Sequence, residues 1–350
     1  MTDRIVAARE GIDTKGGLEA WFDARGITRP KVRLLPSPEA TGYSHETIVF
    51  ELSDASRKVR RIARVEPLGD HNVFPDPDLQ IEYKLLEAIA SSDVPLPRLF
   101  GYEKDQSFLG APFYVMEFLE GLVPPDNPPY CMGGWLHEAT PDVRAGVWWS
   151  GLEAMTHVHL IDWKKLAFVN AGRTIGFEGE LDYWERYIAF CGGDVAAPVR
   201  RAWTWLCANK PSDTATALCW GDSRLGNQMF SDGRCIGLLD WEMACLSDPV
   251  QDLAWFVYFD DVFSTGLGVP RLEGMPTRDE SVARYEELTK TTVHNFDYFE
   301  LFAGVRFAVI MQRLGTLQMG TGALPTDSTF PLDNFVTAHL DKMCDQKGVS

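Results

Sequence analysis

Between Cys219 and Glu242 the chain spaces three oxygen-bearing side chains in a way that matters chemically. Asp222 follows the apolar run Ala217-Leu218-Cys219-Trp220 and a glycine, Gly221. Asn227 lies five residues later, and Asp240 closes a second apolar run, Cys235-Ile236-Gly237-Leu238-Leu239. A carboxylate at 222 can orient a hydroxyl and accept its proton. The amide oxygen of Asn227 and the carboxylate of Asp240 are hard donors, of the kind magnesium takes beside phosphate oxygens. Singly, each has an ordinary explanation as a turn or strand-end residue. In this order and spacing they read as the parts of a phosphoryl-transfer centre.

Such a centre needs groups that hold phosphate. Arg64 sits on a candidate strand, Val59 to Val65, and Glu82 on the helix that follows it. Taken alone they are a surface charge pair worth at most about 1 kcal/mol. Upstream, Thr41-Gly42-Tyr43-Ser44-His45-Glu46-Thr47 stands where a phosphate-covering loop belongs, with Ser44 and Thr47 offering hydroxyl or backbone donors. Its single glycine makes it equally an ordinary turn into a strand.

The elements around these residues change character along the chain. Residues 1–30 read as an N-terminal helical segment, with Leu18, Trp21 and Phe22 at helical spacing and Gly26 as a stop. Glu46 to Leu52, Val59 to Val65 and Pro112 to Phe118 read as strands, rich in β-branched and aromatic residues. Leu79, Tyr83, Leu86 and Ile89 predict a helix over 78–90, ended by Val94-Pro95-Leu96-Pro97. A Pro-rich connection, Gly121 to Pro129, marks a boundary, so residues 31–120 form a nucleotide-binding lobe and 121–350 a catalytic and substrate-binding lobe. Helices are predicted over 144–160, 181–190, 198–209, 280–291 and 296–318. Around Ser231-Asp232-Gly233 two short strands form a hairpin. Strands followed by helices imply an α+β, bilobal fold with a small antiparallel-sheet N-lobe and a mainly helical C-lobe.

Composition narrows the classes. The 350 residues are 45% hydrophobic with 11 Trp and 20 Phe, ample for large cores. The formal charge of −17 argues against nucleic acid as a partner. Seven scattered cysteines with no Cys-x-x-Cys spacing fit reduced thiols rather than zinc or disulfides. No apolar run reaches the roughly 18 residues of a membrane span, and no long apolar segment follows Met1-Thr2-Asp3-Arg4. The expectation is a cytoplasmic protein with no membrane partner; its oligomeric state is unknown.

The residues resemble the aminoglycoside phosphotransferase-like (choline kinase-like) enzymes, which share the protein-kinase-like fold. They look most like the branch related to the N-terminal kinase domain of acyl-CoA dehydrogenase fusion proteins. The resemblance runs from about Pro38 to Met319 and rests on Gln80 to Leu86, Val94 to Arg98, Gly110 to Gly121 and Leu218 to Phe256. It implies ATP and Mg2+, with transfer of the γ-phosphate to the hydroxyl of a small molecule. Asp222 then matches the catalytic Asp, Asn227 and Asp240 the magnesium ligands, and Arg64 with Glu82 the phosphate-binding pair. The backbone of Glu117, Phe118 and Leu119 matches the hinge that binds adenine, and Asp248 and Asp252 match an acidic motif bracing the catalytic loop. The chain departs from the pattern at Trp220, where His is usual, at Arg64, where Lys is usual, and at His45, where Asn is common.

The acceptor is not fixed by the resemblance. The C-terminus lacks the acidic aromatic ending expected for gripping polycations. Val305 to Leu314 is apolar apart from Arg306, Gln312 and Arg313. If that helix lines a cleft, it favours a hydroxyacyl thioester or a lipophilic alcohol over an aminoglycoside; if it is core, it says nothing about the acceptor. The alternatives are a nucleotide-binding pseudokinase with a scaffold role and a hydrolase using paired carboxylates. The hydrolase leaves the order Arg64, Glu82, Asp222, Asn227, Asp240 unexplained.

Overall fold

The computed structural model describes residues 11–36, 45–54, 57–67 and 72–349. The chain forms two compact units, Met1–Ala90 with Leu96–Glu120, and Ser91–Pro95 with Gly121–Ser350. The first contains α1 (Thr14–Asp23), β1 (Lys31–Leu34), β2 (Glu46–Ser53), β3 (Lys58–Val65), α2 (Leu79–Ile89), β4 (Leu99–Glu103) and β5 (Phe113–Glu117). Its five strands pair antiparallel in the order β1-β2-β3-β5-β4. Alternation along β2 turns Ile48, Phe50 and Leu52 into one core with Ala63, Phe113 and Val115. Helix α1 closes that core: the Trp21 and Phe113 rings lie 5.5 Å apart and those of Phe22 and Phe50 5.9 Å. Asp78 caps α2, accepting from the Ile81 N–H at 2.9 Å. The register sets Thr47 opposite Arg64, and Arg64 opposite Tyr114 on the other side.

The second unit contains α3 (Trp135–Glu138), α4 (Pro141–His159), α5 (Phe177–Phe190), α6 (Ala197–Ala208), β6 (Ala217–Cys219), β7 (Gln228–Ser231), β8 (Arg234–Leu238), β9 (Cys245–Ser247), α7 (Val250–Phe263), α8 (Arg278–Thr289), α9 (Phe296–Gly320) and α10 (Phe335–Gln346). Two short ladders carry the loops of interest. β6 pairs with β9, and β7 with β8 in the expected hairpin, whose Asp232 and Gly233 both have positive φ, +50° and +73°. The core is aromatic: Phe307 on α9 lies 4.5 Å from Phe259 on α7, with Trp255 and Phe263 each 6.3 Å away. Fully burying one such side chain contributes about 1.5–3 kcal/mol.

The α+β reading holds: a five-stranded antiparallel sheet in one unit and a mainly helical second unit. The helix predicted over 296–318 is α9, and its Val305 to Ile310 stretch, Arg306 included, is buried core. The apolar acceptor argued from that helix as a cleft wall therefore loses its premise. Among the described residues no helix is long and apolar enough to cross a membrane.

Candidate active site

In the first unit, Arg64 on β3 and Glu82 in the first turn of α2 come together in a buried pair, Nη2 to Oε1 3.9 Å. Glu82 Oε1 also accepts from the Tyr114 hydroxyl at 2.7 Å. Arg64 Nη2 lies 3.5 Å from His45 Nδ1, so the residue that departs from the usual Asn touches the basic residue itself. Thr47 is Arg64's neighbour across the β2–β3 ladder. Ser44 lies outside the described residues. Glu117, Phe118 and Leu119 follow one another out of β5; the Glu117 N–H already donates to the Arg98 carbonyl at 2.8 Å, and the Phe118 ring lies 4.5 Å under the Arg60 guanidinium.

In the second unit, Asp222 leaves β6 in a short loop and Asn227 ends a 3-10 turn, Leu225–Asn227. They meet directly, the Asn227 Nδ2 donating to Asp222 Oδ2 at 2.6 Å. Two further donors complete the carboxylate's surroundings. The Trp255 indole N–H reaches Oδ1 at 2.8 Å, and the Arg224 Nε reaches both oxygens at 3.1 and 3.2 Å. Arg224 also pairs with Asp126. Burial pulls the Arg224 guanidinium down, but Asp126 and Asp222 outweigh it and hold it above its ordinary range. Asp222 is thus an oriented carboxylate with its lone pairs directed by three neighbours.

Asp240 follows β8 with φ +59°, a left-handed conformation that costs a non-glycine residue of order 1 kcal/mol and tends to persist at functional sites. Its backbone carbonyl and that of Leu239 accept from the Trp220 indole N–H at 3.2 and 2.9 Å. Trp220 therefore supplies a ring N–H to the segment carrying Asp240. Gly221 has φ +92°, and a Cβ there would lie 2.1 Å from the Met243 carbonyl oxygen, so only glycine fits.

Asp252, fully buried, braces this loop. It accepts from the Trp220 N–H at 2.6 Å and the Gly221 N–H at 3.0 Å, while His159 Nε2 lies 3.1 Å away. Asp248 accepts from the backbone N–H groups of Ala215 and Val250; burial still pushes its carboxyl up.

The donor set fits magnesium. With Asn227 Nδ2 turned to Asp222, its amide oxygen is the atom a cation could take, and Asp240 is the carboxylate that the sequence spacing pairs with it. Among the described residues no three His, Cys, Asp or Glu side chains gather as a metal cage.

Four participants escaped the sequence reading. Arg224 stands inside the Asp222–Asn227 stretch, and Trp255 follows Asp252-Leu253-Ala254, so both were present in the stretch singled out. Asp126 and Arg306 had no local signal, because only tertiary contacts bring them to the loop.

A family model, the phosphotransferase enzyme family, matches residues 38–285. The chain belongs to this family. Acyl-CoA dehydrogenase family member 10 of Mus musculus is 25% identical over 284 residues, covering 77% of this chain. The chain spans only 25% of that relative's length. A crystal structure from Ralstonia eutropha assigned as an aminoglycoside phosphotransferase has a TM-score of 0.70 at 21% identity, covering 94% of this chain and 95% of its own. Ethanolamine kinase of Plasmodium vivax follows the same fold, with a TM-score of 0.59 at 13% identity over 93% of this chain and 85% of its own. So does aminoglycoside phosphotransferase APH(4)-Ia, solved with ADP and hygromycin B, with a TM-score of 0.50 at 14% identity over 94% and 97%. Phosphotransferase membership and a kinase fold support a small-molecule phosphotransferase.

Proposed function

We propose that the protein moves the γ-phosphate of ATP to the hydroxyl of a small molecule, with magnesium. The observation that carries this is the Asp222 carboxylate, held by Trp255, Arg224 and Asn227, beside an amide oxygen suited to a hard cation. Asp222 orients the acceptor hydroxyl and takes its proton. Asn227 and Asp240 hold the magnesium, which neutralises phosphate charge when bound. Arg64, positioned by Glu82, contacts phosphate, and Ser44 and Thr47 offer further hydroxyl or backbone donors to it; the Arg64 guanidinium stays charged where a Lys is usual. The backbone of Glu117 to Leu119 takes the adenine. Residues 31–120 serve the nucleotide and residues 121–350 the chemistry and acceptor. A hydroxyacyl thioester or a lipophilic alcohol is the favoured acceptor; the support is the relative named as an acyl-CoA dehydrogenase family member. Seven free cysteines fit a reducing, cytoplasmic setting.

Thermal unfolding with ATP, with and without magnesium, tests the reading. Nucleotide at about 100 times its dissociation constant adds about 2.7 kcal/mol. Asp240→Ala is expected to remove the magnesium-dependent part of that shift. Asp222→Ala is expected to keep it and to lose turnover. Wild-type turnover in Asp222→Ala, or an unchanged magnesium response in Asp240→Ala, refutes the respective role. The second reading, a nucleotide-binding pseudokinase with a scaffold role, draws on Arg224 occupying both Asp222 oxygens. It predicts the magnesium-dependent shift in the wild type with no ADP formed from any acceptor.

A further inference from the structure

Arg306 on α9 is only 1% exposed, yet among the described residues no carboxylate pairs with it. A buried guanidinium so placed needs compensation. Its Nη2 donates to the Gly221 carbonyl at 2.8 Å, the peptide that leads into Asp222. Its Nε and Nη1 have no hydrogen-bond partner among the described residues. Its charge instead lies against three ring faces, 4.3 Å from Trp255, 5.1 Å from Trp184 and 5.5 Å from Phe302. The Trp255 ring that it covers is the one whose indole N–H holds Asp222 Oδ1 at 2.8 Å.

We infer that Arg306 is a positioning residue for Asp222, acting through the Gly221 carbonyl and the Trp255 ring at once. One contact fixes the backbone entering residue 222; the other fixes the donor that aims its side chain. The guanidinium suits this double task because it is planar: one edge reaches the carbonyl while its face lies on the indole. The cation also polarises the electron-rich ring face, so the indole N–H beyond it becomes a better donor to a carboxylate. The significance for the reaction rests on Asp222 being the hydroxyl-orienting group; the coupling itself does not.

The test has two arms on the full chain. In the first, the indole N–H resonances of the 11 tryptophans are recorded. The Trp255 line is assigned by its loss in Trp255→Phe. Arg306→Met is expected to move that line in the direction it takes in Asp222→Ala, with Arg306→Lys in between. In the second, ADP release from MgATP with water as acceptor is measured. Arg306→Met is expected to lower kcat about 100-fold, as a misplacement of about 1 Å does. KM for ATP should stay within about twofold, since ground-state binding is untouched. Arg306→Lys should recover part of the rate. A Trp255 line that does not move in a folded Arg306→Met overturns the inference, as does a KM that rises in step with the fall in kcat. Should Arg306→Met fail to fold, Arg306→Gln carries the same expectations. If the wild type releases no ADP with water, the indole line alone decides the coupling, and the phosphotransfer reading is judged separately by the nucleotide and acceptor tests above.

Discussion

Trp220, at the position where the resemblance leads one to expect His, presents a directed ring N–H. Histidine and tryptophan both offer one, but indole is donor-only and keeps no second protonation state. Here the indole is completely buried and its N–H serves the carbonyls of Leu239 and Asp240 together. That matters because Asp240 is held in a left-handed conformation, which persists only when its surroundings impose it. Trp220→Phe keeps most of the ring volume and deletes the donor. It should destabilise the protein by about 1 kcal/mol, the cost of half-buried acceptors losing their donor. It should also weaken nucleotide binding in the presence of magnesium more than in its absence. Calorimetric titration with and without magnesium reads the second effect. An equal loss under both conditions would show that Trp220 supports the fold but not the placement of Asp240.

At the scale of elements, helix α7 joins the loop that carries Asp222 to the helical core. Asp252 sits in its first turn, where the helix N-terminus favours negative charge. Through Asp252 the helix holds the Trp220 and Gly221 N–H groups, and through His159 and the Tyr285 hydroxyl it reaches α4 and α8. Asp252→Asn would present an amide N–H to donors already pointing at it. The expected cost is about 3–5 kcal/mol, as for one partner lost from a buried charged network. Urea unfolding should show a lower midpoint at unchanged slope; a change under about 0.5 kcal/mol would mean the loop is held by its other contacts. This same helix was invisible to periodicity. Thirteen of its 14 residues are buried, so it has no polar face against which an apolar stripe can stand out. By contrast α2 was legible, because Leu79, Leu86 and Ile89 face a core and charged residues separate them. β9 has three residues, too few for any pattern, and gains its identity from pairing with β6 far along the chain. β1 and β4 are similarly short, and α10 announces itself only through the Asn334 and Thr337 capping box. The site divides the same way. The candidates Asp222, Asn227 and Asp240 stand out by local spacing, and of these the structure joins Asp222 to Asn227, whereas Asp126 and Arg306 reach the loop from 96 and 84 positions away (222 − 126 and 306 − 222).

Across the whole molecule, the formal charge of −17 acts on every ligand before any contact forms. On net charge alone, an acyl thioester on an anionic carrier would be repelled and a polycation drawn in. The sign of the salt dependence therefore separates acceptor classes independently of affinity. Raising ionic strength from about 0.01 to 0.15 M shortens the Debye length from about 30 to 8 Å. With MgATP saturating, kcat/KM for an anionic hydroxyacyl thioester should rise over that range, by roughly up to tenfold. An uncharged lipophilic alcohol should stay flat, and a polycationic acceptor should fall. A decline for the thioester would place a local basic surface at the acceptor's approach, strong enough to override the net charge. A polycation whose kcat/KM falls with salt but exceeds that of the thioester at 0.15 M, near physiological ionic strength, would reverse the acceptor preference, because screening has then removed most of its electrostatic advantage and what remains is contact.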